Sequence, residues 1–239
     1  MTDIIRKSLA ELVGTYIFVL FGPGSVVAFI AAFNQTLNPS TLFYLATTFG
    51  LGISIGIMAV ANISGGHVNP AVTISLFIAG RFPGKHVAQY IVAQLIGAVL
   101  ASATVGLLFG YNVANSVQFG ATIPGSRGPL IAFAGELIMT FFFLWTIMGV
   151  TSRTNNTAII AVVIGIYVSI MIFMLATVSG GSINPARSFG PAVLSGILLK
   201  GQYFQWIYWV APIIGGSLGA LSYKLMYNEK GKIHYAPEN

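Results

Sequence analysis

The chain contains no cysteine, which excludes disulfides and thiol chemistry and leaves its redox compartment open. Charge is almost as scarce. Only 7% of the 239 residues are Asp, Glu, Lys or Arg, and five of those are acidic. A soluble domain carries about 25%, so an ordinary water-facing surface is excluded. There is no Ser/His/Asp set, no metal-ligand spacing and no phosphate-cradling glycine loop, so the sequence has no signature of an enzyme or of a resident metal or cofactor. The formal net charge of +6 would by itself suit a nucleic-acid partner, but the placement of the charges argues against one.

What the chain has instead is apolar length. Hydrophobic residues make up 56%, in runs at about 9–32, 42–62, 87–109, 130–150, 158–178 and 204–227, each near the ~20 residues that cross a hydrocarbon core. Runs this long and unbroken are helices, not barrel strands. The first is too long for a signal peptide and contains Glu11, which suits a retained helix. With the N-terminus inside, Arg6, Lys7, Arg81, Lys85, Arg153, Lys224, Lys230 and Lys232 fall on the cytoplasmic side, and only Arg127 and Lys200 fall outside. That is the positive-inside pattern. It predicts a multi-pass protein of the plasma membrane with both termini cytoplasmic, partnered by the lipid bilayer and not by nucleic acid. Arg187 belongs to neither group.

One phrase occurs twice, Ser64-Gly65-Gly66-His67-Val68-Asn69-Pro70-Ala71 and Ser179-Gly180-Gly181-Ser182-Ile183-Asn184-Pro185-Ala186, with Asn184 standing 115 residues after Asn69. Each copy is a glycine-rich loop feeding a helix start, with Asn at the N-cap and Pro at the first helical position. Ala10-Glu11-Leu12 in the first run and Gly135-Glu136-Leu137 near the start of the fourth extend the repeat. Each half then has three spans, an odd number, so the second half enters from the opposite face. The chain reads as one domain, 1–239, of two inverted repeats, approximately 1–115 and 126–239. The runs after each Asn-Pro-Ala, 69–79 and 184–194, cover ~11 residues or ~16 Å, half a bilayer. They are predicted to be half-helices re-entering from opposite sides, with their N-termini near the midplane. Loop backbone at that depth is tolerated only where it lines a water-filled path or is buried in protein, so the pair implies a pore between the halves.

These paired Asn-Pro-Ala half-helices, the Ser-Gly-Gly-His before the first, the Asn-Pro-Ala-Arg-Ser at the second and the Glu in spans one and four resemble the aquaporins, or major intrinsic proteins. Within that family the sequence is most similar to prokaryotic water channels, especially the archaeal branch. The resemblance implies an all-α membrane protein: a right-handed bundle of six transmembrane helices plus two re-entrant half-helices in an inverted 3+3 repeat. It also implies one pore per subunit, assembly as a homotetramer, and passive conduction of water and small uncharged solutes with exclusion of protons and ions.

At the constriction formed by Asn69, Pro70, Ala71, Asn184, Pro185 and Ala186, each asparagine is expected to cap its half-helix and present side-chain N–H donors. Each helix N-terminus adds roughly half a positive charge, which repels cations. The preceding residues, Gly65, Gly66, His67 and Val68 with Gly180, Gly181, Ser182 and Ile183, are expected to run extended and form a file of carbonyl acceptors. For His67, lining the pore and packing beside it both stay open. Arg187, three residues into an apolar half-helix, marks a site because a guanidinium there is costly; it lies too near the helix start for snorkelling to be the better reading. It resembles the family's selectivity-filter arginine. By spacing, the rest of that filter would be Phe49, Ile172 and the Gly181 carbonyl.

Ile172 stands where water-selective members have histidine, which removes polar contacts from the filter. Ser188 differs from the Asp usual in glycerol facilitators, and Tyr208-Trp209 resembles the water-channel pair. The reading is therefore a water channel that also passes small neutral solutes, with a glycerol facilitator as the alternative. A coupled transporter also uses broken helices, but Glu11 and Glu136, its candidate acids, are expected to accept from backbone N–H groups of the re-entrant loops and not to relay protons. Gly52, Gly56, Gly97, Gly165, Gly215, Gly216 and Gly219 are expected to permit close helix packing. Trp145, Trp206 and Trp209 read as lipid anchors or packing residues.

Overall fold

Apolar runs bounded by asparagine, proline and glycine become helices in the computed structural model of the protein, which describes residues 2–33 and 38–227. Six are long: α1 (Asp3–Phe33), α2 (Pro39–Ser64), α4 (Val87–Phe109), α6 (Pro129–Thr151), α7 (Thr157–Ser179) and α9 (Ile207–Met226). Two are the half-helices, α3 (Pro70–Ile78) and α8 (Pro185–Leu194), about 14 and 15 Å long. A short α5 (Tyr111–Ser116) and a 3-10 turn at Gln118–Gly120 occupy the connection between the halves, which hydropathy leaves without structure. Lys230 and Lys232, part of the charge count above, lie outside the described residues.

The helix starts differ from expectation by three residues or more in three places, and in α2 the chain enters the helix three residues early behind the Asn38 cap. α1 starts six residues before its apolar run because Asp3 pairs with Arg6 at 3.0 Å and Lys7 at 2.7 Å, one helical turn on, and such pairs carry a helix into polar sequence. α9 starts three residues late because a 3-10 turn at Gly201–Tyr203 and a left-handed Phe204 (φ 49°) take up the chain first. Five of the long helices are apolar enough to cross a membrane by length and composition. α9, with Ser217, Ser222 and Lys224, is the more polar sixth. The bundle's polarity is inverted relative to a soluble domain. Leu107 and Leu225 are each 83% exposed, whereas Glu11 and Glu136 are fully buried and Arg187 nearly so.

The halves correspond element by element, α1 to α6, α2 to α7, α3 to α8 and α4 to α9. α1 packs on α2 and α4, as α6 packs on α7 and α9; α2 meets α7 at the centre. Each half-helix rests on the last helix of the other half, α3 on α9 and α8 on α4. Missing Cβ atoms make the close approaches possible. A Cβ on Gly97 would run into the Leu12 carbonyl, and one on Gly215 into the Leu137 carbonyl, two contacts related by the repeat. All seven glycines expected to allow close packing sit where a Cβ would meet a neighbour at 3.1 Å or less. Gly97→Ala and Gly215→Ala should each destabilise the fold by about 1–3 kcal/mol, read as a lower melting midpoint in detergent. Gly201→Ala, whose Cβ meets nothing within 4 Å, should leave that midpoint unchanged.

Candidate functional site

The site begins where α2 and α7 stop. Gly65 (φ 92°) and Gly180 (φ 79°) end them in the left-handed conformation and donate back to Ala61 and Ala176 carbonyls. The expected extended course then does not form. Gly66 and Gly181 are also left-handed, and so are Val68 (φ 52°) and Ile183 (φ 49°), unusual for β-branched residues. One obstacle to an extended course is visible in the partners. Successive N–H groups of an extended chain point to opposite sides, but here two consecutive ones converge on a single carboxylate.

Glu11 Oε1 accepts from the Ser64 hydroxyl at 2.7 Å and the His67 N–H at 2.9 Å, and Oε2 from the Val68 N–H at 2.6 Å and Gln94 Nε2 at 2.8 Å. Glu136 repeats the pattern. Oε1 accepts from the Ser179 hydroxyl at 2.6 Å and the Ser182 N–H at 2.8 Å, and Oε2 from the Ile183 N–H at 2.6 Å. Tyr90 and Tyr208 each donate a hydroxyl at 2.8 Å to the carbonyl of Ser64 and Ser179, respectively. The loops are thus held from both sides by buried side chains.

Asn69 and Asn184 cap the half-helices. Asn69 Oδ1 accepts from the Ala71 N–H at 2.8 Å, and Asn184 Oδ1 from the Ala186 N–H at 3.0 Å and the Arg187 N–H at 3.3 Å. Pro70 and Pro185 occupy the first helical position. The two amides also reach across the repeat: Asn69 Nδ2 donates to the Ile183 carbonyl and Asn184 Nδ2 to the Val68 carbonyl, both at 2.9 Å. One hydrogen of each NH₂ is thereby used, and one remains. At the far end of α3, Lys224 Nζ donates to the Ala79 carbonyl at 3.1 Å, meeting that helix's negative pole.

Phe49, Ile172, Gly181 and Arg187 come together. Arg187 donates from Nε to the Gly181 carbonyl at 3.1 Å, from Nη1 to Gly120 at 2.8 Å and from Nη2 to Gly180 at 3.3 Å. Its guanidinium carbon lies 4.8 Å from the Phe49 ring centroid. A Cβ on Gly181 would sit 2.9 Å from Ile172 Cδ1. Ser182 Oγ meets Ser188 Oγ at 2.6 Å.

A cavity of about 450 Å³ runs from a mouth lined by Lys7, Arg81 and His86 to the two asparagines and on to Phe49. Gly65, Gly66, His67 and Ser182 line it; Gly180, Gly181, Ile172 and Arg187 do not. His67 lies at the cavity wall and is also packed. Its ring lines the cavity and packs 4.7 Å from Phe82 and 5.2 Å from Tyr90, while Nδ1 lies 3.1 Å from Thr73 Oγ1.

Sequence reasoning missed several of these partners. Ser64 and Ser179 could have been found, as identical polar residues opening both copies of the phrase. Gln94 and Tyr90 are polar groups inside an apolar run, a weaker signal. The Gly120 carbonyl, offered by a turn with Phe119 at φ 57°, left no trace in the sequence.

Six long helices in two inverted halves, with two half-helices meeting at capped asparagines that line one cavity, define a polytopic membrane protein of the paired half-helix class. The chain belongs to the Major intrinsic protein family, whose family model matches residues 1–223. It is 35% identical to aquaporin AqpM of Methanothermobacter marburgensis, over 96% of this chain and 100% of that protein. It is 37% identical to aquaporin Z of Rhodopseudomonas palustris, over 94% of each. Among solved structures it is similar to the aquaglyceroporin from Plasmodium falciparum, with a TM-score of 0.83 at 27% identity, covering 92% of this chain and 95% of that one.

Glu136→Gln places an NH₂ among N–H donors that already fill the site. It should lower stability by about 1.5–3 kcal/mol, read as the melting midpoint of the purified protein, and Glu11→Gln should do the same. A proton-relay role requires the opposite outcome, with the midpoint unchanged and a proton-driven flux lost.

Proposed function

We propose that the protein is a passive channel for water, also passing small neutral solutes, that excludes protons and ions. The carrying observation is the meeting of two half-helix N-termini at Asn69 and Asn184, both lining one cavity. Each asparagine keeps one amide hydrogen for a passing oxygen. The two helix ends contribute roughly half a positive charge each, so water accepts hydrogen bonds there while hydronium or a metal ion meets repulsion and loses hydration. Loop carbonyls of Gly65, Gly66 and His67 on one side, and of Gly180 and Ser182 on the other, serve as acceptors along the path. Phe49, Ile172, Gly181 and Arg187 form the selectivity filter, and Glu11 and Glu136 each support the re-entrant loop of their own half.

Aquaporin relatives and the structural likeness to an aquaglyceroporin support this reading. The second reading, a glycerol facilitator with water as the lesser permeant, is favoured by one observation: Ile172 offers the filter no donor. We place the mouth lined by Lys7 and Arg81 in the cytoplasm with both termini, in the plasma membrane. The chain acts as a single channel domain, assembled as a homotetramer with one pore per protomer.

Stopped-flow light scattering on proteoliposomes tests the function. Water efflux should be fast and linear in the osmotic gradient, and indifferent to a proton gradient; saturable or gradient-driven flux overturns the proposal. Arg187→Val should retain water flux while raising glycerol flux and admitting cations or protons, and unchanged selectivity would remove Arg187 from the filter. Ile172→His should lower glycerol flux relative to water, and two unmoved fluxes would mean the filter lies elsewhere.

A further inference from the structure

The proposed filter has a mate within the chain. Moving by the 115-residue repeat carries Phe49 to Ile164, Ile172 to Ile57, Gly181 to Gly66 and Arg187 to Val72. The correspondence is spatial as well as sequential. A Cβ on Gly181 would press on Ile172 at 2.9 Å, and one on Gly66 would press on Ile57 at 3.3 Å. Where α2 crosses α7, a Cβ on Gly50 would meet Ser169 and the Gly165 carbonyl, and one on Gly165 would meet Ser54 and the Gly50 carbonyl. The mates lie in α2, α3 and α7 and in the first loop, and all four line the cavity. Because α3 and α8 run away from the asparagine pair in opposite directions, Val72 stands on the opposite side of that pair from Arg187.

We propose that Ile57, Val72 and Ile164, at the level of Gly66, form a second selectivity element, an apolar ring that sorts neutral solutes by how many hydrogen-bonding groups they carry. The proposal rests on the reading of the protein as a passive channel. None of the three side chains has a donor or acceptor, whereas the Arg187 cluster supplies a fixed charge and N–H groups at the corresponding place. A water molecule in single file keeps partners ahead and behind as it passes. A polyol hydroxyl pointing away from the Gly66 carbonyl finds apolar wall, and an unpaired polar group in apolar surroundings is penalised. The ring therefore slows a triol more than it slows water, and it does so through polarity and not through width alone.

The test compares wild type, Val72→Thr, Ile164→Thr and Ile164→Val in proteoliposomes, with water and glycerol permeability measured on each. The two Thr variants put a hydroxyl into the ring, and Ile164→Val widens it while keeping it apolar. Both Thr variants should raise the glycerol-to-water ratio about threefold or more, and Ile164→Val should move it by less than half as much. Should Val72→Thr fail to insert, the two Ile164 variants carry the comparison alone. An equal rise in Ile164→Val and Ile164→Thr, or an unmoved ratio with water flux intact, overturns the ring. Absent water flux in wild type overturns the channel reading, a separate result.

Discussion

Two stretches of irregular backbone carry buried N–H groups that no helix ladder satisfies, and the fold is organised around meeting that need. An unsatisfied amide in apolar surroundings is too costly to leave. The chain supplies one buried carboxylate per loop, which gathers two consecutive N–H groups, and the residues that donate the second of them, Val68 and Ile183, are held in left-handed conformations. Backbone held in that way costs about 1–3 kcal/mol per residue and persists only where its surroundings over-determine it. Here the carboxylates do so, and the same twist leaves the Val68 and Ile183 carbonyls in reach of the asparagine of the other half. The caps, the crossing amides and the placement of Arg187 all depend on those two clamps.

The scaffold is symmetric and its chemistry is not. Residues that repeat are those that build: Ser64 with Ser179, Glu11 with Glu136, Tyr90 with Tyr208, Asn69 with Asn184. Residues that break the repeat are those that could discriminate: Arg187 against Val72, Phe49 against Ile164, His67 against Ser182. Gln94 is a structural exception. In register with the Tyr90–Tyr208 pair its counterpart is Pro212, so Glu11 has four donors and Glu136 three. A duplicated framework lets one copy of a position become polar without disturbing the contacts that hold the other.

Much of the fold was legible because it rests on signals that survive in one dimension. Apolar run length located α4, α6 and α7 to within a residue or so, and the duplicated phrase located α3 and α8 with their asparagine caps. The ends of α1 and α9 were less legible. One is extended by three charged side chains one turn apart, the other delayed by a turn whose geometry no composition records. At the site, spacing brought out Phe49, Ile172, Gly181 and Arg187 as a group, but not the loop conformation. That follows from where the Glu11 and Glu136 oxygens lie in three dimensions, and a glycine-rich stretch is equally compatible with extended and left-handed backbone. The Gly120 carbonyl reaches Arg187 from 67 residues away, through a loop with no repeat partner, and long-range backbone contacts of that kind have no sequence mark.

The way Arg187 is held bears on what it can do. A buried guanidinium needs partners, and a carboxylate would be the obvious one, but a carboxylate would cancel its charge. Among the described residues no acidic oxygen lies within ion-pair distance of Arg187. Its partners are three neutral carbonyls and the face of Phe49. Carbonyl dipoles and an aromatic quadrupole stabilise a cation without neutralising it, so the net charge is retained at the proposed filter. Glu136, the nearest candidate to pair with it, has both oxygens committed to its own loop. The clamp that satisfies the backbone therefore also keeps the one buried cation of this region unpaired with an anion, which is the condition for it to repel other cations. Val72, in the equivalent place of the other half-helix, carries no charge, so the repeat is broken at the position where this unneutralised cation stands.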